Sequence, residues 1–400
     1  MILAMSKKDF YLRYIPIYLS LFMGDALLTS YYSLYFIENG LSGFEQSILL
    51  ALIPFSLFLG SLVLSPFAKT PTRTLWLFRG AVIIEAGLTL GFSFCNNFVS
   101  LLVLTILISF FNGVPFTFLE SLASVDSNKR GIPYGNIRLF GTLGYIISLL
   151  AGFFLLRNLP FRDVYYFSAG LLVFAVVLSF LVKTEEEEFK REEKEEEAPK
   201  RKGSFKSAIP LLIAVSLFYG AFLASGYILP IRLKDLGLPD ADYSLIRGIS
   251  LGAELIALLL MPLLNRFFKR KTIALMVASL LLILSIAFPI FIKDAYGLAY
   301  SSLIVSSIGK AFLFAYEARL FEEKIGKKGL GVILTLSTGL VNLIAGSWNL
   351  ASSSIYENLS FEAFFIILAS VALAGRAILI IDEILTRRKE KKAIEKESIR

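Results

Sequence analysis

The sequence contains no histidine and a single cysteine, Cys95. The first absence removes the side chain that most often carries protons near neutral pH and most often ligates metals. The second excludes an internal disulfide and any cysteine-based metal cluster. Carboxylates do not group at metal-ligand spacing, and no Gly-x-x-x-x-Gly-Lys-Ser/Thr loop occurs. Both gaps argue against a metalloenzyme and against nucleotide hydrolysis by this chain, so no cofactor is expected. Period-two alternation is missing as well, which excludes a transmembrane β-barrel. The first apolar run, after Lys7, Lys8 and Arg13, has no small-residue cleavage site and reads as a span rather than a removable signal.

What the chain has in abundance is apolar sequence. Of 400 residues, 56% are hydrophobic, and the mean hydropathy is +0.71. Apolar runs of about 20 residues, the length of a bilayer-crossing helix, recur from end to end. The expected fold is an all-α integral membrane protein of twelve transmembrane helices. Their approximate limits are 14–36, 46–67, 75–94, 98–120, 136–156 and 164–182, then 207–230, 245–264, 272–292, 296–318, 330–351 and 362–383. The net charge of +8 is a topology signal here rather than a sign of nucleic-acid binding. Lys69, Arg73, Lys129, Arg130, Arg266, Lys269, Arg270, Lys271, Lys324, Lys327 and Lys328 fall on the side of the N-terminus, as does the tail "RRKEKK". Both termini are therefore expected in the cytoplasm, in a multi-pass protein of the cell membrane. The run "KTEEEEFKREEKEEEAPKRKGSFK" at 183–206 has too few apolar residues to pack and reads as a cytoplasmic linker. It separates an N-terminal six-helix bundle (1–182) from a C-terminal one (207–385), which a charged tail (386–400) follows.

The two bundles read as repeats. Aligning Gly40-Leu41 with Gly237-Leu238 sets an offset of 197 residues, and the same offset carries Glu120 onto Glu317. Tandem bundles with an acid at one place in each fourth span point to duplication and pseudo-symmetry.

Charged side chains within such helices cost about 2.5–3.5 kcal/mol near the bilayer centre, so they face the bundle interior or a wet path. Asp25 lies halfway along the first span with nothing within a turn to neutralise it. It is either a structural partner for a cation on another helix or a titrating acid. Glu120 ends the fourth span and Arg138 begins the fifth. They form either a helix tether and interface anchor or a hydrogen-bonding pair for a hydroxyl-rich ligand. Gly141, Thr142 and Tyr145 share a face with Arg138. The glycines there equally suit close helix packing. Lys310 and Glu317 share a face of the tenth span, and Arg247, Ser250 and Glu254 share one on the eighth. The eleventh carries Thr335, Thr338, Asn342 and Asn349, a polar stripe that argues for a hydrated interior. Arg79 and Arg376 lie nearer span ends, where snorkelling is expected. Glu85 is mid-span without an assigned role.

Twelve spans, a charged central linker and six-helix repeats resemble the major facilitator superfamily. The run from Glu120 to Tyr145, "ESLASVDSNKRGIPYGNIRLFGTLGY", is similar to its lactose permease and nucleoside–proton symporter branch: an acid, a short basic loop, then aromatic-Gly-x-x-Arg-x-x-Gly-x-x-Gly-aromatic. The resemblance implies that Glu120 and Arg138 bind substrate and that Tyr145 supports its ring. The sequence departs from lactose permease at the tenth span, where Lys310 is followed by Leu313 and Tyr316, and at the ninth, which has no arginine. The superfamily's loop motif is eroded in "SPFAKTPTRT" and partly kept in "LLNRFFKRK".

The expectation is thus a secondary transporter, not an enzyme, moving a small polar organic solute by alternating access. Glu120, Arg138, Tyr145, Asn342 and Lys310 are the expected substrate-binding residues. Without histidine, a coupled proton must ride on a carboxylate, and Asp25, Glu317 and Glu254 are the candidates; sodium is the alternative coupling ion. The expected partners are the solute, the ion and the lipid bilayer, with no nucleic acid, around a monomer. The competing expectation is an efflux pump for amphipathic or cationic compounds, which acids in an aromatic-rich cavity would suit.

Overall fold

A computed structural model describes residues 7–132, 135–182, 205–264, 266, 268 and 270–398. Among the described residues the regular elements are helices. They are α1 (Lys7–Thr29), α2 (Tyr32–Glu38), α3 (Gly43–Leu64), α4 (Pro71–Phe92), α5 (Phe98–Lys129), α6 (Gly135–Asn158) and α7 (Phe161–Ser179). They continue as α8 (Phe205–Asp235), α9 (Asp240–Leu264), α10 (Lys271–Phe291), α11 (Ala295–Ile325), α12 (Lys327–Asn358) and α13 (Phe361–Ser398). Helices satisfy their own backbone hydrogen bonds, which hydrocarbon cannot do for them. Eleven of them are long and apolar enough to cross a membrane. The expected first span, 14–36, is supplied by α1 and α2, interrupted at Ser30 and Tyr31. The architecture is the expected twelve-span all-helical fold.

Several helices outrun the expected spans. Hydropathy placed limits at 120 and 318, yet α5 continues to Lys129 and α11 to Ile325. The hydropathy signal ends with the hydrocarbon, whereas nothing in "SLASVDSNK" or "FEEKI" breaks a helix. The linker assigned to 183–206 falls almost wholly outside the described residues. The tail assigned to 386–400 is an extension of α13 as far as Ser398.

The chain divides into two compact units, one from the described residues of Met1–Glu196 with Leu233–Gly252, the other from those of Glu197–Arg232 with Ala253–Arg400. This differs from a division at the linker, because the end of α8 and the first half of α9 join the first unit. Specific contacts hold them there. The Ser244 hydroxyl donates to the Leu149 carbonyl (2.6 Å) and accepts from the Tyr31 hydroxyl. Arg157 faces Asp242 at 3.7 Å.

In the first unit α1 packs on α6 and α7, α5 on α3 and α4, and α4 on α7. Phe10, Tyr18, Leu21, Phe78, Phe118 and Leu172 belong to its buried core. Gly144 lets α6 close on α1: a Cβ there would stand 2.9 Å from the Leu19 carbonyl oxygen. Close packing thus accounts for one of the two glycines beside Arg138. In the second unit α10 packs on α11 and α13, and α12 packs on both of these.

The repeat is visible in bond patterns. Gly40 and Gly237 both have positive φ, 69° and 87°. Each terminates a helix in the same way: Leu41 N–H donates to Phe36 and Gly40 N–H to Ile37, as Leu238 does to Leu233 and Gly237 to Lys234. This pair of bonds is a glycine C-cap motif, and it favours a residue without a Cβ. A second equivalence is less obvious. Arg79 on α4 donates to the carbonyl of Ser179 (2.9 Å) and its hydroxyl (3.0 Å), while Arg376 on α13 donates to the carbonyl of Met276 and the hydroxyl of Ser279. The 197-residue offset relates Arg79 to Met276 and Ser179 to Arg376, so each half ties the same two helices with a guanidinium placed on opposite members of the pair. Arg79 is buried against Trp76 and Phe180 rather than snorkelling freely.

Hydrogen bonds to charged groups contribute about 1.5–3 kcal/mol each. Arg79→Met is expected to lower the thermal unfolding midpoint of the purified protein by a loss of that order. Adding Ser179→Arg copies the second-half arrangement and is expected to recover most of the loss.

Candidate functional site

The first unit gathers five of the polar groups that hydropathy makes anomalous. Asp25 on α1 is 5% exposed and Glu85 on α4 is 1% exposed. Between them stands Asn112 of α5, whose amide nitrogen donates to Asp25 Oδ1 (2.6 Å) and to Glu85 Oε1 (2.8 Å). The second oxygen of Asp25 accepts from the Tyr145 hydroxyl of α6. Thr29 lies one turn along α1, its hydroxyl donating to the Asp25 carbonyl (2.9 Å) and standing 3.3 Å from the Tyr145 oxygen. Four helices therefore converge on two carboxyls, which no cation pairs among the described residues.

The local sequence explains the convergence. Asp25 follows Phe22 by three residues, placing acid and ring on one face of α1. Phe22 lies edge-on to Phe116 (4.8 Å between centroids) and to Tyr145 (6.1 Å). The Arg138 guanidinium sits 5.0 Å from the Phe22 centroid, a cation–π distance. Arg138 and Tyr145, seven residues apart, share a face of α6 that runs along this aromatic step.

Arg138 Nε meets Glu120 Oε1 at 2.7 Å. Their side chains are 45% and 36% exposed, in contrast with the buried acids. α6 packs mainly on α1, and the Glu120–Arg138 contact ties it to α5 through side chains. Tyr145, expected to support a substrate ring, has its hydroxyl committed to Asp25.

The second unit holds the remaining candidates. Lys310 on α11 pairs with Glu254 on α9 at 2.6 Å, with side chains 13% and 11% exposed. Glu317 shares the face of Lys310 but takes a different partner, the Ser337 hydroxyl of α12 at 2.9 Å. Asn342 is buried on α12; the repeat offset makes it the counterpart of Tyr145. The structure thus joins Asp25 with Tyr145, Glu120 with Arg138, and Glu254 with Lys310, and it sets Glu317 apart.

Sequence reasoning missed Asn112 and left Glu85 without a role. A signal for the first existed: "ISFFNGVPF" places a lone amide within an otherwise apolar turn, and such a group requires a partner in hydrocarbon. Glu85 needed its partner's position, which only the packing of α4 on α5 supplies. Among the described residues, groups of three or more His, Cys, Asp or Glu able to hold a metal ion are absent.

Residues 14–348 match the family model described as Major Facilitator Superfamily. The chain is 26% identical over 366 residues to Multidrug resistance protein MdtG of Escherichia fergusonii, covering 87% of this chain and 88% of the relative. Among solved structures it superposes on a variant of the nucleoside transporter NupG with a TM-score of 0.77 and 14% identity, over 94% of this chain and 99% of the other. A POT family transporter in complex with 5-aminolevulinic acid gives a TM-score of 0.68 at 14% identity, covering 95% and 97%. At these identities the structural likenesses establish the fold.

Proposed function

Since this chain belongs to the Major Facilitator Superfamily and is a membrane transporter, we propose that it moves a small polar organic solute, sugar- or nucleoside-like, by proton-coupled alternating access. One observation carries the reading. A continuous series of contacts links the half-exposed Glu120–Arg138 pair, through Phe22 and Tyr145, to the buried Asp25. A guanidinium fork and a carboxylate offer donors and acceptors to a hydroxyl-rich ligand. The two acids that Asn112 bridges, Asp25 and Glu85, offer a place for a proton, and the aromatic step leading to Asp25 lets occupancy of one site bias the other. Within the second unit, Lys310 and Asn342 are further candidate ligand contacts, and Glu254 and Glu317 further candidate proton sites. The protein would work as a monomer in the cell membrane with both termini in the cytoplasm.

The test is a thermal-shift screen of the purified protein against sugars, nucleosides and carboxylates, since a bound ligand stabilises the folded state by mass action. Arg138→Lys keeps the charge and loses the planar fork. It is expected to weaken any hit by at least about 1.4 kcal/mol, which is tenfold in affinity. An unchanged hit would make Arg138 a surface anchor and remove the support for a polar-solute site.

A second reading has its own support in the relative named a multidrug resistance protein. Paired buried carboxyls beside Phe22, Phe116 and Tyr145 would suit an amphipathic cation. Expression in a drug-sensitive host separates the two: reduced accumulation of cationic dyes favours efflux, and unchanged accumulation with a nucleoside or sugar hit favours the first reading.

A further inference from the structure

The Asp25–Asn112–Glu85 bridge assigns different jobs to its two acids. Asp25 has both oxygens occupied by donors, Asn112 Nδ2 on one and the Tyr145 hydroxyl on the other. A carboxylate accepts at both oxygens, whereas a carboxylic acid has one oxygen that must donate. A proton on Asp25 Oδ1 would therefore point at the Asn112 N–H, and one on Oδ2 would require the Tyr145 hydroxyl to turn away and accept instead of donating. Glu85 is different. Its Oε1 accepts from Asn112, and its Oε2 is buried with no hydrogen-bond partner among the described residues. That oxygen can bear a proton without displacing a donor, and left ionised it would be a bare charge in a low-dielectric interior. Asn112 is neutral and has only two amide hydrogens, one for each acid, so it cannot offset two negative charges held this close.

We infer that Glu85 is the group that holds a proton at this site, and that Asp25 is the fixed charge. The group with no role in the sequence becomes the proton carrier, and Asp25 becomes its positioning partner, working through Asn112. The groups that act on Glu85 are the Asp25 charge and the Asn112 amide. Its purpose rests on the proton-coupled reading above; the assignment itself does not, because it can be tested with neither substrate nor transport.

The test is infrared difference spectroscopy of the purified full chain in liposomes, stepped in pH, reading the C=O stretch of protonated carboxyls. The wild type is expected to show such a band. Glu85→Gln, an isostere of the protonated acid, is expected to lose it, and Asp25→Asn to keep it. Bands from Glu317 or Glu254 survive in both variants and cancel in the comparison. A band lost in Asp25→Asn and kept in Glu85→Gln places the proton on Asp25 and overturns the inference, as does a spectrum that neither change alters. If Glu85→Gln does not fold, wild type against Asp25→Asn still decides: retention of the band supports Glu85, and its loss overturns it. Failure of the transporter reading would leave these spectra as expected while the ligand screen stayed blank, so the two are separable.

Discussion

Lys310→Met is expected to destabilise the second unit by about 3–5 kcal/mol, the cost of stranding one member of a buried ion pair. The pair is direct, at 2.6 Å, and both side chains are nearly out of solvent. Removing the ammonium leaves Glu254 without its counter-charge among α9 and α11. Glu254→Leu should be destabilising too, because it removes the carboxylate that the lysine meets at 2.6 Å. The double variant should not cost the sum. Replacing both charges by apolar groups of similar size removes the desolvation penalty together with the attraction, so its stability is expected to return close to wild type. Thermal and denaturant unfolding of the four proteins makes a double-mutant cycle, and a coupling of at least about 2 kcal/mol is expected for groups in contact. Two single losses that merely add would mean that the pair does not form. A Lys310→Met protein of wild-type stability with weakened ligand binding would instead return Lys310 to the solute-gripping role expected from the sequence. The pair therefore places a structural claim and a functional claim on one measurement.

Helix number and type were legible because hydrocarbon imposes a single local solution, a long apolar helix, and imposes it span by span. The duplication was legible at Gly40 and Gly237 for a similar reason: a glycine C-cap is a local motif whose conformation the residue type dictates. Partner choice was not legible. Nothing in the sequence around Arg79 or Arg376 shows that each crosses to a neighbouring helix at the same pseudo-symmetric place, since the cation has changed sides between the repeats. Helical spacing puts Lys310 and Glu317 on one face but cannot show that Glu254 pairs with the lysine and Ser337 with the glutamate. Glu120 and Arg138 were paired correctly because both lie near one short loop, where sequence distance approximates spatial distance. Asp25 and Glu85 are 60 positions apart on helices that share Asn112 only through the packing of α4 on α5. Local periodicity contains no term for such a junction.

Asp25→Asn is expected to abolish pH-gradient-driven accumulation in proteoliposomes while sparing exchange of labelled for unlabelled substrate. Each unit of pH difference supplies about 1.36 kcal/mol per coupled proton, a tenfold accumulation at equilibrium. The variant should fall to an inside-to-outside ratio near one, because the Asp25 charge is what makes proton occupancy at the bridge energetically consequential. With the charge gone, proton occupancy of Glu85 is no longer tied to a charged partner across Asn112, and a proton site uncoupled from the rest of the bridge transmits no gradient. Exchange needs only that the loaded carrier reorient, which a neutral site permits. The substitution is not silent locally: the amide has one acceptor oxygen where the carboxylate had two, so if that oxygen keeps the Asn112 N–H, the Tyr145 hydroxyl must reverse and accept from the new NH2. A modest fall in unfolding midpoint should accompany the coupling defect and can be measured on the same sample. Glu317→Gln asks the same question of the second unit, where the Ser337 hydroxyl can still donate to the amide oxygen and the local cost should be smaller. Loss of accumulation in both variants would mean that each half holds a coupling acid. Loss in Asp25→Asn alone would confine coupling to the first unit. Wild-type accumulation ratios in both would leave the buried carboxyls as structural groups and separate solute movement from the proton gradient.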